Sequence, residues 1–452
     1  MIPMTRSKLI RDPIHNYVEI NYNEIPIVDH PLVQRLRHIK QLQTTYLTYV
    51  GGEHSRFQHS LGVMHLATEF ASHLGGEREI ILTTRILGLL HDLGHGPYSH
   101  TFDDAIIQKS EELKRRGIKS HEDLGLMLIR NSEIIDHLNS LGIDDIFMKI
   151  AHNNVNEIPK ELRPYHYVVK NWIYPADIMD FLMRDSYYTG TKEYGFVDYY
   201  RLIKFSEKIN GEIAIAEQAI STLRNFLMAR SYMFSSVYFH PTCRATDFIV
   251  VDMLFEANKY YDFEGIVLKA VQGEYEDFLT LTDESVIYSI LRDGKTTRDK
   301  NLKKAYEYAS MLIRRIIPWK MIYFIDIPFR GEDAAVSYRY FDVRKHIEEV
   351  KEEVLPKLES LGISENDIVF DHTKYKYLPD NPREVKGTIA VKTRNGELHE
   401  VPIVKIAEGY PLYTITIRVY VSKKYREHFD IIKRALKESF EKLKSTSIGV
   451  TM

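Results

Sequence analysis

"LLHDLGHGPYSH", residues 89–100, sets an apolar helix end against a run of titratable groups, with His91, Asp92, His95 and His100 inside ten positions. The preceding residues carry the helix: "TTRILGLLHDL" (83–93) places Ile86, Leu87, Leu90 and Leu93 at helical spacing. Gly94 then releases the chain. An adjacent His-Asp pair cannot share one helical face, so both side chains reach a single ion only if it sits beside the helix terminus. Further ligands must then come from elsewhere. His59 opens an earlier helix in "HSRFQHSLGV", and Asp177 opens a later one in "YPADIMDFLMRD". Imidazole and carboxylate together suit Mg, Mn, Fe, Ni or Zn and not soft-metal chemistry.

Working outward, the chain reads as mostly helical to about residue 315. Helices are expected over 59–74, 83–93, 176–188 and 219–239. After Pro318 the pattern changes. "MIYFIDI" (321–327) reads as a buried strand, and residues 343–362 as an amphipathic helix that Pro356 should kink or divide. Two strands joined at Asn395-Gly396 form a hairpin, residues 413–421 form a strand, and a charged helix over about 423–445 closes the sequence. The expected class is mostly α: a helical core over 1–318 and a smaller C-terminal α/β lobe over 319–452.

Composition narrows the function classes. Hydrophobic residues are 44%, charged residues 27% and net charge −3, which describes a globular protein with no global pull toward nucleic acid, local basic patches aside. One cysteine, Cys243, rules out a disulfide framework and a thiolate metal site, and points to a reducing cytoplasm. The N-terminus turns polar within five residues, unlike a signal peptide, and no apolar run reaches membrane-spanning length.

Any one His or Asp here reads more simply as a surface or capping residue. The ordered set is different: H-x-R-F-x-H, H-D-x-G-H-x-x-x-S-H, S-H-E, then D-x-x-D-x-x-x-R-D. These segments resemble the HD superfamily of metal-dependent phosphohydrolases, and within it the deoxynucleoside triphosphate triphosphohydrolases, bacterial members and the eukaryotic SAM-and-HD-domain enzymes alike. The resemblance covers most of residues 7–320 and, more faintly, the C-terminal "IRVYVSKKYREHFDIIKRALKESF"; no SAM domain precedes it in this sequence.

The resemblance implies a helical HD core and one divalent ion per subunit on His59, His91, Asp92 and Asp177. It implies hydrolysis of a dNTP to deoxynucleoside and triphosphate. His100 with Asp103 would protonate the departing 5′-oxygen, His95 and His121 would contact phosphates, and Arg56 would clamp one. Gln41 and Asp185 match residues holding the sugar 3′-hydroxyl, Leu42 and Tyr238 those crowding C2′, and Arg230 a triphosphate-binding arginine. Lys8, Asp29, Gln34 and Arg37 match an activating GTP or dGTP site between subunits, so a homo-oligomer is implied, dimer or tetramer. The helix "DHPLVQRLRHIKQL", with Asp29 near its N-cap, could equally serve packing.

Departures accompany the matches. Ile178, Phe181 and Phe234 stand where a eukaryotic member has lysine, tyrosine and histidine. Arg11 replaces an asparagine of a second effector site, and Pro241, after His240, replaces a lysine. The apolar replacements keep a second reading open, an HD phosphohydrolase of a nucleoside monophosphate, cyclic nucleotide or nucleic-acid end. A third reading, a nucleotide sensor with little catalysis, leaves Arg56, His95, His100 and His121 without a purpose.

Overall fold

The computed structural model describes residues 7–329, 334–376, 387–407 and 413–447. Its N-terminal hairpin pairs β1 (Ser7–Asp12) with β2 (Asn16–Asn21), antiparallel, through a turn that holds Asn16 at φ 62°. The next segment corrects the expected amphipathic helix. It breaks into a turn at Ile25–Val28, a second at Pro31–Gln34 and a 3₁₀ turn at Arg35–His38. Pro31 cannot donate inside a helix but suits its first position. Asp29 therefore ends one turn, and His30, not Asp29, caps the next by accepting from Leu32 N.

Three long helices build the centre of this part of the chain: α1 (Arg56–His73), α2 (Arg78–Leu90) and, later, α4 (Ala176–Thr189). Helix α1 begins three residues before the expected start because Ser55 and Gln58 form a capping box, with Ser55 N donating to Gln58 Oε1. Phe57, Val63, Met64, Leu66, Ala67 and Phe70 are all buried, so α1 is covered on nearly every side. Helix α2 stops at Leu90, leaving His91 and Asp92 on the turn just beyond it.

The loop that follows is held from several directions. Tyr98 and Ser99 both sit at positive φ, 59° and 54°, where side-chain-bearing residues persist only if their surroundings enforce it. Asp283 accepts from Tyr98 N, Ser99 Oγ donates to Lys40 O, and buried Arg35 donates to the carbonyls of His95, Phe278 and Leu281. A Cβ at Gly94 would lie 2.0 Å from His121 O. Only glycine allows the loop to touch α3 (His121–Arg130), which starts at a Ser120 cap.

After α4, β3 (Ser206–Ile209) and β4 (Glu212–Ala216) form a second hairpin. Helix α5 (Ile220–Met233) then changes pitch, so that Phe234–Tyr238 is a π turn. This corrects the expected uninterrupted helix over 219–239, and the wider turn alters the phase of Phe234 and Tyr238 relative to Arg230.

The chain divides into two compact units. One comprises residues up to Arg315 with the returning segment Ile389–Val401; the other begins at Ile316. In the second, β5 (Trp319–Phe329), β6 (Ile368–Lys376) and β9 (Tyr413–Ser422) make an antiparallel sheet in the order β5-β9-β6. Helix α6 (Val343–Glu359) contains Pro356 in its last turn without being divided, and α7 (Phe429–Ser447) follows β9. The Asn395-Gly396 turn, with Gly396 at φ 86°, joins β7 (Thr388–Lys392) to β8 (Leu398–Pro402). Strand β7 pairs in parallel with β4, a partnership that the hydrophobic pattern does not specify. The mostly α class stands. Among the described residues, no helix is long and apolar enough to cross a membrane.

Candidate active site

Four side chains from three places in the chain meet beside the end of α2. His59 Nε2 lies 3.1 Å from Asp177 Oδ1 and 3.8 Å from Asp92 Oδ2. His91 Nε2 lies 3.3 Å from Asp92 Oδ1 and 3.7 Å from Asp177 Oδ1. The opposite ring nitrogens are engaged: His91 Nδ1 donates to Gly88 O, and His59 Nδ1 to Asp180 Oδ2. With a proton on each Nδ1, each Nε2 faces the carboxylates and would offer its lone pair to a bound cation. His91 Nε2 is buried with no hydrogen-bond partner, a state that a cation would relieve. Two imidazoles and two carboxylates so disposed fit a divalent ion of hard or borderline character.

The local field agrees. Burial works against a charged His59, yet Asp177 and Asp180 push it up to about 10. Burial likewise opposes charge on Asp92, but Arg56 and His91 hold its carboxyl well below the usual range. Positive charge is therefore favoured here despite the desolvation. Arg56 is buried and donates to Asp92 Oδ2 at 2.5 Å and to Ser99 Oγ at 2.7 Å. Its guanidinium braces a candidate ligand as well as lining the site.

A second group lies beside the first. His95, His100, Asp103 and His121 each place a potential ligand atom within 4.8 Å of the others. The rings of His95 and His121 stack at 3.6 Å and 17°, so their lone pairs lie in two nearly parallel planes and do not converge on one ion. Asp103 Oδ2 pairs with His121 Nδ1 at 2.6 Å, while His100 Nδ1 stands off at 3.7 Å. The expected His100–Asp103 pair is thus a shared carboxylate in which His121 makes the shorter contact. Burial, then Arg56 and His121, drive His95 well below its ordinary value, so it is neutral. His100 is the exposed member, with 62% of its side chain open.

Two of the expected pocket residues, Asp185 and Tyr238, meet directly. Asp185 is buried between His54 Nε2, 2.7 Å from Oδ1, and the Tyr238 hydroxyl, which donates to Oδ2 at 2.7 Å. Tyr238 meets Phe181 and Phe234 edge-on at 6.0 and 4.9 Å. Gln41 Oε1 is buried without a partner, Leu42 is buried, and the Arg230 guanidinium lies 5.3 Å from the Phe234 ring. Arg184, on the same helix, turns into a buried pairing with Asp12 and Asp180. Of the effector residues, Gln34 donates to Val28 O and accepts from Arg37, next to exposed Asp29. Lys8 stands on β1, its ammonium 5.9 Å from the Tyr22 ring, and no described contact joins it to the other three.

Sequence reading missed His15, Arg35, His54 and Asp180. Asp180 had a visible signal, one turn after Asp177 in D-x-x-D. The others act through partners far away in sequence, such as His54 with Asp185, 131 positions on.

The chain belongs to the HD-domain family of phosphohydrolases. The HD domain matches residues 56–175, and the HD associated region matches 197–447. An uncharacterised protein of Bacillus subtilis is 30% identical over 88% of both chains. The deoxynucleoside triphosphate triphosphohydrolase SAMHD1 homolog of Dictyostelium discoideum is 29% identical, over 84% of this chain and 70% of that one. A solved phosphohydrolase from Bacteroides thetaiotaomicron, 25% identical, superposes with a TM-score of 0.67 over 92% of this chain and all of its own.

Proposed function

We propose that this protein hydrolyses deoxynucleoside triphosphates to deoxynucleoside and triphosphate, using one divalent ion held by His59, His91, Asp92 and Asp177. The observation that carries the reading is the side-by-side arrangement of two groups, one suited to a cation and one to proton transfer. The ion, when bound, supplies charge that polarises a phosphate and activates water. Arg56 fixes Asp92 and adds positive charge for phosphate. Neutral His95 can donate to a phosphate oxygen without carrying a proton away. The proton for the departing 5′-oxygen comes from the histidines around Asp103, with His100 on the open side and His121 held by the carboxylate.

Gln41 and Asp185 are assigned to the sugar hydroxyl, Leu42 and Tyr238 to the space beside C2′, and Arg230 to the phosphates. The dNTP assignment is supported by the Dictyostelium relative. Activation by GTP or dGTP at Lys8, Asp29, Gln34 and Arg37, in a homo-oligomer, extends the same reading. A second reading, hydrolysis of a smaller phosphate ester, draws on one observation: Ile178 is buried, and Phe181 and Phe234 enclose Tyr238. Each charge-assisted phosphate contact not made there forgoes about 1.5–3 kcal/mol.

The test incubates protein loaded with Mg, Mn, Fe(II), Co or Ni with each dNTP, with and without GTP, and resolves products by ion exchange and phosphorus NMR. Deoxynucleoside with intact triphosphate is the expected result. Intact dNTPs under every condition would remove the triphosphohydrolase reading and turn the assay to monophosphates and cyclic nucleotides.

A further inference from the structure

Behind His59 lies a closed set of buried charges that the reaction as described does not use. Asp180, fully buried, accepts from His59 Nδ1 at 2.8 Å and Arg184 Nε at 2.8 Å on Oδ2. On Oδ1 it pairs with His15 Nε2 at 2.7 Å and accepts from Arg184 Nη2 at 2.9 Å. Arg184 continues to Asp12 through Nη1 at 2.8 Å. Asp12 Oδ1 accepts in turn from the backbone N–H groups of Ile14 and His15, at 2.9 Å each. The chain of contacts thus runs from the turn of the β1–β2 hairpin to the back of His59. His15 is 165 positions from Asp180 in sequence.

We propose that Asp180 is a positioning residue for His59, and that His15 completes its hydrogen bonds so that the N-terminal hairpin tunes the cation affinity of the centre. This rests on the reading of His59 as a metal ligand. The four contacts occupy the roughly four lone-pair sites of a carboxylate. Asp180 therefore cannot swing toward the ion and compete with Asp177, one helical turn away. Its one free task is to hold the proton on His59 Nδ1, which orients the ring and strengthens Nε2 as a donor. Arg184 balances the charge but offers no acceptor for the imidazole. A buried ion network of this kind is weak evidence for a role in stability alone, and its termination on a candidate ligand distinguishes it from packing. His15 supplies the contact from outside the helical core, in the segment that also carries Lys8 and Arg11.

The test uses full-length wild type, His59→Ala, Asp180→Asn, His15→Leu and His15→Gln. Co²⁺ affinity is read by chelator competition, the cobalt visible spectrum reports ligand geometry, and melting in EDTA reports the apo fold. His59→Ala should lose the tight site. Asp180→Asn should weaken Co²⁺ by about 10–100-fold with an altered spectrum. His15→Leu should weaken it by about 10-fold, and His15→Gln, which can still donate to Asp180, should recover most of that loss. If Asp180→Asn does not fold, the Leu and Gln pair decides. Wild-type affinity and spectrum in His15→Leu, whatever its melting temperature, would overturn the proposal and leave the network a packing feature. If wild type binds no Co²⁺, or His59→Ala binds as tightly as wild type, the metal assignment itself falls. The inference then falls with it.

Discussion

Gly62→Ala sets two opposed effects against each other. In a helix interior, alanine in place of glycine is favourable by about 1 kcal/mol, and Gly62 lies inside α1. Its Cβ, however, would sit 1.9 Å from Asp180 Oδ1 and 2.5 Å from Arg184 Nη2. The carboxylate would have to retreat by roughly 1.5 Å to reach ordinary contact. That movement stretches its bonds to His15 and His59, 2.7 and 2.8 Å long, beyond hydrogen-bonding range. Overpacking costs about 1–3 kcal/mol, and breaking a buried charge pairing about 3–5 kcal/mol. The net expectation is about 3–7 kcal/mol of destabilisation. At about 2.1 cal/mol/K per residue over roughly 300 residues, the melting temperature should drop by about 5–11 °C. Differential scanning calorimetry in EDTA reads this directly. A variant that melts at or above the wild-type temperature would show that the close approach of α1 to Asp180 is wrong.

Arg35→Met removes the donor to three buried carbonyls, those of His95, Phe278 and Leu281; urea unfolding should show a loss of at least about 3 kcal/mol, and a loss under 1 kcal/mol would contradict the assignment. Asp103→Asn should lower kcat by about 10²–10⁴-fold while metal affinity stays unchanged, and equal kcat would remove the carboxylate from the proton-transfer group. Arg230→Ala should raise KM for a dNTP by about 10-fold or more and leave hydrolysis of a simple monophosphate ester alone; a uniform effect on both would argue that Arg230 is packing. Burial pushes Asp283 up to about 6, with the backbone donors of Tyr98 and Lys40 offsetting part of the shift. A raised folded value makes the neutral form the stabilising one, so its contribution is full below about pH 4 and is lost as pH rises through 6. The stability difference between wild type and Asp283→Asn should therefore shrink by about 3 kcal/mol across that window, and a difference that stayed constant or grew would refute the sign.

His59, His91, Asp92 and Asp177 were legible because ligand chemistry restricts residue type, and because the helices that carry them announce themselves by apolar spacing. His95, His100, Asp103 and His121 came instead from the resemblance to the HD superfamily; they share the loop after α2 or open the next long helix. Their pairing was not legible. Asp103 serves His121 more closely than His100 because the Gly94 contact brings α3 against the loop, and no spacing rule encodes that approach. The 29–42 segment misled for a local reason: its helical periodicity is real, but Pro31 and the 3₁₀ turn at Arg35–His38 divide it.

By itself, the sequence determined the mostly α class, the strands β5, β7, β8 and β9 but not β6, and a histidine–carboxylate set of the right chemistry for a divalent ion. These follow from side-chain periodicity and from ligand type, both of which are written residue by residue. The tertiary structure decided which carboxylate backs which imidazole. It turned Arg184 away from the pocket onto Asp180 and Asp12, set His54 and Tyr238 on Asp185, and paired β7 with β4. Those choices depend on which groups are left facing one another once water is excluded. A buried charge must find whatever partner the packing brings within 3 Å, and the linear order of residues does not name that partner.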